Sequence, residues 1–220
     1  MIYITGDTHG DIDFPRLREF FGKTKVSRED YLIVLGDAGI VWSEEYSFIR
    51  EYDSLGLTVL FIDGNHENFD MLNSFPKTKF CGAMCHQLSP FIYHIIRGEI
   101  LRLDGWTFFC MGGATSIDKA CRRNRISWWE EENIDPRDIA NGYANLAEAD
   151  FRVDYVLTHC APSFVVWQMF RYRIDPNTEI LQKFHKKIEF KQWFFGHYHE
   201  DRTLRQFRCF YYDILEIPHA

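Results

Sequence analysis

The sequence lacks any apolar run that approaches the ~20 residues needed for a membrane-spanning helix, so no membrane segment or membrane partner is expected. It also lacks a basic excess, because 25 lysines and arginines stand against 32 acidic residues and give a net charge of −7. Affinity for nucleic acid grows with the cations presented to the phosphate backbone, so the net negative charge argues against long nucleic acid as a partner. Low-complexity segments, internal repeats and interdomain linkers are absent as well.

The six cysteines form no paired framework of the kind found in small secreted domains. The first candidate ligand, Asp7, follows the opening β-rich run directly, which leaves no room for a signal peptide. We therefore expect reduced thiols and a cytoplasmic protein. Cys81, Cys85 and His86 keep a structural zinc site open as an alternative to buried strand cysteines, although no second ligand pair stands at finger-like spacing.

The composition is that of a globular protein, with 46% hydrophobic and 26% charged residues, and 220 residues fit one domain over residues 1–220. Runs rich in β-formers at 2–4, 31–35 and 58–62 each end at a Gly-Asp or Asp-Gly turn, and helical patterns at 14–21 and 42–52 lie between them. This alternation is typical of βαβ units, and it predicts parallel strands whose carboxyl ends share one edge of a sheet.

The second half of the chain predicts a different arrangement. Residues 91–111 predict successive strands joined by antiparallel hairpins at residues 97–99 and 104–105. Further elements are predicted along the rest of the chain: helices over 136–150, with Asp135 as N-cap, and over 176–187, strands over 153–157 and 192–195, and a closing hairpin over 202–217.

Five short clusters carry side chains that bind divalent metal ions. They are Gly6-Asp7-Thr8-His9-Gly10, Gly36-Asp37, Gly64-Asn65-His66-Glu67, Thr158-His159 and Gly196-His197-Tyr198-His199. At the end of an extended strand residues i and i+2 point to the same side, so Asp7 and His9 are expected to reach one ion, and the same holds for His197 and His199. Turn formation alone accounts for one or two such clusters but not for all of them.

In this order the clusters resemble the calcineurin-like metallophosphoesterase superfamily, and the chain looks like one of its small bacterial members. The resemblance spans residues 6–199 and implies an α/β fold, a four-layer αββα sandwich in which two mixed β-sheets pack face to face with helices outside. It also implies two divalent metal ions, which are Mn, Fe, Zn or Ni. The implied ligands are Asp7, His9 and His199 for the first ion, Asn65, His159 and His197 for the second, and Asp37 as the bridge between them.

The resemblance further implies that His66 faces the substrate and assists departure of the leaving group. Protein serine/threonine phosphatases of the superfamily extend the second cluster to Gly-Asp-x-x-Asp-Arg-Gly, whereas Ile40 and Val41 stand at the Asp and Arg positions here. This difference argues against protein phosphatase activity. We predict that Arg122, with Lys119 or Arg123 beside it, replaces the missing phosphate-binding arginine. The alternative is a solvated basic loop.

The sequence therefore predicts a metal-dependent phosphatase, a dinuclear phosphoric ester hydrolase that acts as a phosphomonoesterase with a metal-bridging hydroxide on a small or medium phosphorylated substrate. The alternative enzyme is a phosphodiesterase acting on cyclic nucleotides or nucleic acid ends, because the superfamily hosts both activities with the same ligands. A non-catalytic metal-binding interaction scaffold is a third hypothesis, but every ligand position and His66 carry the expected residue type. The sequence specifies neither the metal, the physiological substrate nor the oligomeric state.

Overall fold

A computed structural model describes residues 1–43 and 47–218 of the chain. Thirteen strands are found in these residues: β1 (Ile2–Thr5), β2 (Tyr31–Leu35), β3 (Thr58–Ile62), β4 (Lys77–Phe80), β5 (Ala83–Ser89), β6 (Ile92–Ile95), β7 (Ile100–Leu103), β8 (Trp106–Met111), β9 (Tyr155–Thr158), β10 (Gln192–Phe195), β11 (Arg202–Leu204), β12 (Phe207–Cys209) and β13 (Ile214–Ile217). Six α-helices accompany them: α1 (Phe14–Lys23), α2 (Ile49–Asp53), α3 (Phe69–Ser74), α4 (Pro136–Glu148), α5 (Ser163–Phe170) and α6 (Pro176–His185). Short 3₁₀ turns cover Lys119–Cys121 and Glu130–Glu132.

The strands form two mixed sheets. The first has the order β13-β1-β2-β3-β6-β5-β4, with β1, β2, β3 and β6 parallel and the remaining strands antiparallel to their neighbours. The second has the order β11-β12-β10-β9-β8-β7, with parallel pairing from β12 to β8. Antiparallel strands β11 and β7 close its two edges.

Apolar side chains point alternately to the two faces of each strand, which explains why the two sheets pack face to face. In β1, Ile2 and Ile4 belong to the core between the sheets, together with Phe108 and Phe194 of the second sheet. Tyr3 points the other way and packs with residues of α1 and α2, as the two-residue period of a strand requires. Because both faces of each central strand are covered, these strands are nearly continuous apolar runs.

Helices cover the two outer faces. The outer face of the first sheet packs against α1, α2 and α3, and that of the second sheet packs against α4, α5 and α6. The predicted four-layer αββα sandwich is thereby confirmed. The predicted N-cap of α4 is confirmed as well, since the Asp135 carboxylate accepts hydrogen bonds from the backbone N–H groups of Arg137 and Asp138.

Three details of the sequence prediction are wrong. The turn at Arg97-Gly98 joins β6 to β7 in different sheets, so it is a crossover and not a hairpin. Within the predicted closing hairpin, only β11 and β12 pair with each other, while β13 leaves to pair with β1. In the predicted helix over 42–52, residues 44–46 lie outside the described residues, and the described helix begins only at Ile49.

This topology brings the ends of strands from both sheets to one side of the molecule. The segments that follow β1, β2 and β3 in the first sheet carry Asp7, Asp37 and Asn65, and those that follow β9 and β10 in the second carry His159 and His197. Among the described residues, no helix is long and apolar enough to cross a bilayer.

Candidate metal centre

The first group of candidate ligands consists of Asp7, His9 and His199. Their ligand atoms lie within 4.8 Å of one another. The Asp7 Oδ2 atom is 3.1 Å from His199 Nε2 and 3.9 Å from His9 Nε2. The structure thus brings together the three side chains that the resemblance implies for the first ion.

Asp37 lies beside this group and belongs to a second one, which consists of Asp7, Asp37 and His159. Its Oδ2 atom is 3.7 Å from His9 Nε2 and 3.4 Å from His159 Nε2. Its Oδ1 atom accepts a hydrogen bond of 2.6 Å from the backbone N–H of His66. A carboxylate in this position can offer an oxygen to ions on both sides, which is the geometry that a bridging ligand needs.

Asn65 is oriented by a chain of hydrogen bonds. Its Nδ2 donates to Ser116 Oγ at 3.1 Å, and Ser116 Oγ donates to Glu132 Oε2. The Asn65 Oδ1 atom is left facing His159 Nε2 at 3.1 Å. The amide oxygen, which is the atom that binds a hard cation, therefore points into the site.

His197 belongs to neither of the two ligand groups found among the described residues, but its ring packs beside that of His159. Its ring centroid is 5.0 Å from that of His159, and its backbone N–H donates to Asp7 Oδ1 at 2.8 Å. Burial and the neighbouring His159 lower the pKa of His197 to about 4. An imidazole that stays neutral keeps the lone pair that a metal ligand needs.

Hydrogen bonds fix which nitrogen of two histidines faces the site. His159 Nδ1 is 2.7 Å from the backbone oxygen of Leu35, which can only accept, so Nδ1 carries a hydrogen, and a neutral His159 would present the lone pair of Nε2 to the site. His9 Nδ1 is 2.9 Å from the Asp13 carboxylate. Outer partners of this kind are what orient histidines that bind metals.

The charge balance of the site also fits cations. Burial would raise the pKa of Asp7 and Asp37, but neighbouring histidines, His159 first, lower both below the ordinary value. Burial would lower the pKa of His9 and His159, but the charges and hydrogen bonds of these carboxylates raise it to about 9 and about 10. Two buried carboxylates thus hold protons on two histidines, and bound divalent ions would supply the same positive charge. The donor set of this chain therefore fits divalent metal ions.

Four of the candidate ligands have left-handed backbone conformations. The φ angles are 39° for His9, 48° for Asp37, 69° for His197 and 51° for His199. The expectation that extended strands present residues i and i+2 on one side is therefore wrong, because the chain has already turned at these residues. Strained positions of this kind are concentrated at functional sites.

Glycines beside the ligands make room for side chains from neighbouring loops. A Cβ atom on Gly64 would lie 2.0 Å from Asp37 Oδ1, and one on Gly36 would lie 2.2 Å from His159 Nδ1. Gly36 also has a φ of +94°. These glycines let the ligand side chains pack against the backbone of adjacent ligand loops.

The loop after β8 brings Arg122 to His66. The Arg122 side chain is 8% exposed, its Nε donates to Asp118 at 2.9 Å, and its Nη2 is 2.6 Å from His66 Nδ1. Lys119 instead places its ammonium 3.9 Å above the ring of Trp128. Arg123, whose backbone N–H donates to Ser127, is exposed. Of the three candidate cations, Arg122 is the one that contacts another predicted site residue.

Burial lowers the pKa of His66. The negative charge of Asp37 raises this pKa, and the positive charge of the Arg122 guanidinium lowers it further.

Ile40 and Val41, at the positions of the missing Asp and Arg, are buried in the core of the first sheet. A zinc group that includes Cys81, Cys85 or His86 is not found among residues 1–43 and 47–218.

Sequence reasoning missed the residues that support the ligands. Asp13, Ser116 and Glu132 are the outer partners described above. Tyr211 is another, because its ring stacks on that of His199 at 4.7 Å and its hydroxyl donates to Asp13 Oδ1 at 3.3 Å. The only signal in the sequence is the spacing of Asp13 four residues after His9. Tyr211 lies far along the chain and gives no such signal.

Comparisons with known proteins give two findings. The family model of calcineurin-like phosphoesterases matches residues 1–201. A matching solved structure is the crystal structure of phosphopantetheinyl hydrolase from Mycobacterium tuberculosis, with 16% sequence identity, a TM-score of 0.48, and coverage of 96% of this chain and 87% of that chain. Among curated proteins, no sequence matches.

Proposed function

The chain belongs to the calcineurin-like phosphoesterase family, and we propose that within this family it is a phosphomonoesterase that works with two divalent metal ions. Family membership makes it a metal-dependent phosphoester hydrolase. The preference for a monoester and the roles of individual residues are the proposal.

We assign the first ion to Asp7, His9 and His199, the second to Asn65, His159 and His197, and the bridge to Asp37. When bound, two divalent ions lower the pKa of water and neutralise charge on phosphoryl oxygens. The candidate metals are Mn, Fe, Zn and Ni, since imidazole, amide and carboxylate donors accept each of them.

The observation that carries the monoester proposal is the position of Arg122. A monoester is a dianion and leaves charge facing the protein after metal binding, whereas a diester carries one charge less. A guanidinium can bind two phosphoryl oxygens at once. Arg122 holds its guanidinium against His66, with only 8% of the side chain exposed, so a phosphoryl group that reaches His66 also meets Arg122.

The two residues have different tasks in the proposed reaction. Arg122 binds and orients the phosphoryl group, and His66 gives a proton to the departing alcohol oxygen, which is the role that the resemblance implies. The substrate is a phosphorylated molecule of small or medium size. We also propose a cytoplasmic location, because all six cysteines are free thiols, as in a reducing compartment.

The experiment compares kcat/KM for p-nitrophenyl phosphate and bis-p-nitrophenyl phosphate with protein loaded separately with each candidate metal. We expect a preference for the monoester of at least about tenfold, the value of one charge-assisted hydrogen bond. A chelator should abolish turnover. A preference for the diester would favour the phosphodiesterase hypothesis, and absence of turnover with both metals bound would favour an interaction scaffold.

A further inference from the structure

The loop that carries Arg122 is bound to α3 by one carboxylate. Asp70, the second residue of α3, forms an ion pair with the Arg125 guanidinium and accepts a hydrogen bond of 2.8 Å from the Trp129 indole N–H. Arg125 Nη2 also donates to the Glu131 carboxylate at 2.7 Å. The C-terminal end of the loop is thereby held against α3. We call the two contacts of Asp70 with Arg125 and Trp129 the Asp70 anchor.

The ring of Trp129 adds a second attachment to the same helix. Trp129 is buried, and its ring packs edge to face on that of Trp42 with 5.5 Å between the centroids. The backbone oxygen of Trp42 accepts a hydrogen bond of 2.7 Å from the Asn68 side chain. Asn68 is also the N-cap of α3, where its side chain accepts from the backbone N–H of Met71. Trp129 is therefore connected to the start of α3 through its indole N–H and through its ring.

A compact turn connects the Asp70 anchor with Arg122. The backbone N–H groups of Ser127 and Trp128 both donate to the backbone oxygen of Arg123. The backbone N–H of Arg125 donates to the backbone oxygen of Trp128. Arg122 Nη1 in turn donates to the backbone oxygen of Ser127 at 3.3 Å. A displacement of the anchored end of the turn would therefore move one of the groups that hold the Arg122 guanidinium.

The helix α3 begins directly after the loop of His66. His66 precedes Asp70 by four residues, and its ring contacts Arg122 Nη2. Arg122 Nη1 is 3.5 Å from the backbone oxygen of Asn65 in the same loop. The start of α3 therefore connects the histidine that Arg122 contacts with the carboxylate that holds the Arg122 loop.

We propose that Asp70 is a positioning residue, which through the Asp70 anchor holds Arg122 beside His66 in the place where its guanidinium binds the phosphoryl group. This inference rests on the proposed phosphomonoesterase function. Without the anchor, the turn that contacts the guanidinium loses an attachment to α3, and Arg122 has more positions open to it. Binding of the phosphoryl group must then order the arginine, and that ordering reduces the affinity gained from the contact.

The test begins with variants of Asp70. Asp70→Ala should lower kcat/KM for p-nitrophenyl phosphate by about three- to tenfold, mainly by raising KM, which is part of the value of one charge-assisted hydrogen bond. Asp70→Asn should recover part of this loss, because its amide oxygen still accepts from the Trp129 indole while the charge that faces Arg125 is gone. Both variants should keep the metal content of the wild type.

Glu19→Ala on α1 is the matched control, because the Glu19 carboxylate also forms an exposed ion pair on a helix, with Lys23 at 2.7 Å. It should leave both kcat and KM unchanged. The side chains of Asp70 and Arg125 are 52% and 51% exposed, and exposed ion pairs contribute little to folding stability. We therefore expect the Asp70 variants to fold like the wild type.

A double-mutant cycle identifies the route by which Asp70 acts. If it acts through Arg122, Asp70→Ala should change kcat/KM by less than about twofold when it is introduced into Arg122→Ala. An equal loss in both backgrounds would overturn the positioning role, because a general loss of structure would lower kcat/KM whether or not Arg122 is present.

Binding of inorganic phosphate to the metal-loaded protein, measured by calorimetry, separates this inference from the proposed function. Asp70→Ala should weaken phosphate binding in the wild-type background and not in Arg122→Ala. This result without hydrolysis of any monoester would support the Asp70 anchor and overturn the phosphomonoesterase proposal. Monoester turnover with wild-type kcat/KM and phosphate affinity in Asp70→Ala would overturn the anchor alone. Phosphate binding that does not depend on Arg122 would overturn both the anchor and the role assigned to Arg122.

Discussion

Asp37 lies between two histidines that we assign to different ions, because its Oδ2 atom lies 3.7 Å from His9 Nε2 and 3.4 Å from His159 Nε2. We predict that Asp37→Asn loses metal along with activity. The amide keeps the shape of the side chain but removes a negative charge and one ligand oxygen. Elemental analysis of the purified variant measures the effect. Retention of both ions would contradict the bridging role.

His66 gives the converse prediction. In His66→Gln both ions should stay bound, because no metal is assigned to this side chain, while turnover should fall by the ~10²- to 10⁴-fold typical of a general acid. The loss should be larger for an alkyl phosphate than for p-nitrophenyl phosphate, whose leaving group barely needs a proton. Steady-state kinetics on both substrates, with metal content as the control, makes the comparison. Equal losses would count against proton donation.

Arg122 should contribute binding of the phosphoryl group. We expect Arg122→Ala to lower kcat/KM by about ten- to a hundredfold, the value of one charge-assisted hydrogen bond, with metal content unchanged. Arg122→Lys should recover only part of the loss, because an ammonium group cannot bind two oxygens in a fixed fork. Arg123→Ala is the matched control on the same loop. If Arg122→Ala, Arg123→Ala and Lys119→Ala all keep wild-type efficiency, the loop is a solvated surface.

For individual residues, the sequence indicated which side chains come together. It did not indicate the hydrogen bonds and backbone conformations that orient them. The order of the five clusters was sufficient to predict that Asp7, His9 and His199 lie close together, and their ligand atoms lie within 4.8 Å of one another. The direction of each imidazole depends on partners such as Leu35 and Asp13, and a backbone oxygen leaves no signal in a sequence. The left-handed conformations of His9 and Asp37 are also invisible there, since they arise from the way neighbouring loops pack.

At the scale of elements, the ligand loops interlock through glycine. We predict that Gly64→Ala displaces Asp37, because the new Cβ would lie 2.0 Å from Asp37 Oδ1 and 2.4 Å from its backbone nitrogen. The variant should therefore lose metal and activity even though no ligand has changed. Gly22→Ala on α1 is the matched control, since a Cβ there meets nothing within 4 Å, and it should stabilise the helix by up to ~1 kcal/mol. Full metal content in Gly64→Ala would contradict the interlocking of these loops.

Strand positions were predictable from apolar runs, but strand partners were not. The segment at Arg97-Gly98 has the turn chemistry of a hairpin, yet Gly98, with a φ of +84°, packs where a Cβ would lie 2.5 Å from the backbone nitrogen of Gly142 on α4. The chain passes α4 at this close approach as it crosses from the first sheet to the second. Likewise, β13 pairs with β1 across almost the whole length of the chain, and no local pattern reports such a partner.

At the scale of the whole molecule, the side chain of Arg97 ties the first sheet to the layer of α4. It donates to the carboxylates of Asp63 and Asp138 and to the backbone oxygens of Glu131 and Asn133, and it is 7% exposed. Burial would raise the pKa of Asp63, but Arg97, and then His94, hold it well below the ordinary value. Removing the arginine would leave a buried carboxylate without its main partner, which is far more costly than the loss of an exposed ion pair.

We therefore predict that Arg97→Met lowers the free energy of unfolding by about 3 to 5 kcal/mol at neutral pH, whereas Arg102→Met, at an exposed arginine of β7, changes it little. The pH dependence identifies the cause. A carboxyl group with a depressed pKa stabilises the folded state above its unfolded pKa of about 4, and this stabilisation is lost as the pH falls through the folded value. The difference between wild type and Arg97→Met should consequently be largest above about pH 4 and shrink below it. Urea unfolding of the metal-free protein at several pH values measures both curves, and a difference that does not vary with pH would mean that Arg97 acts by packing and not by its charge.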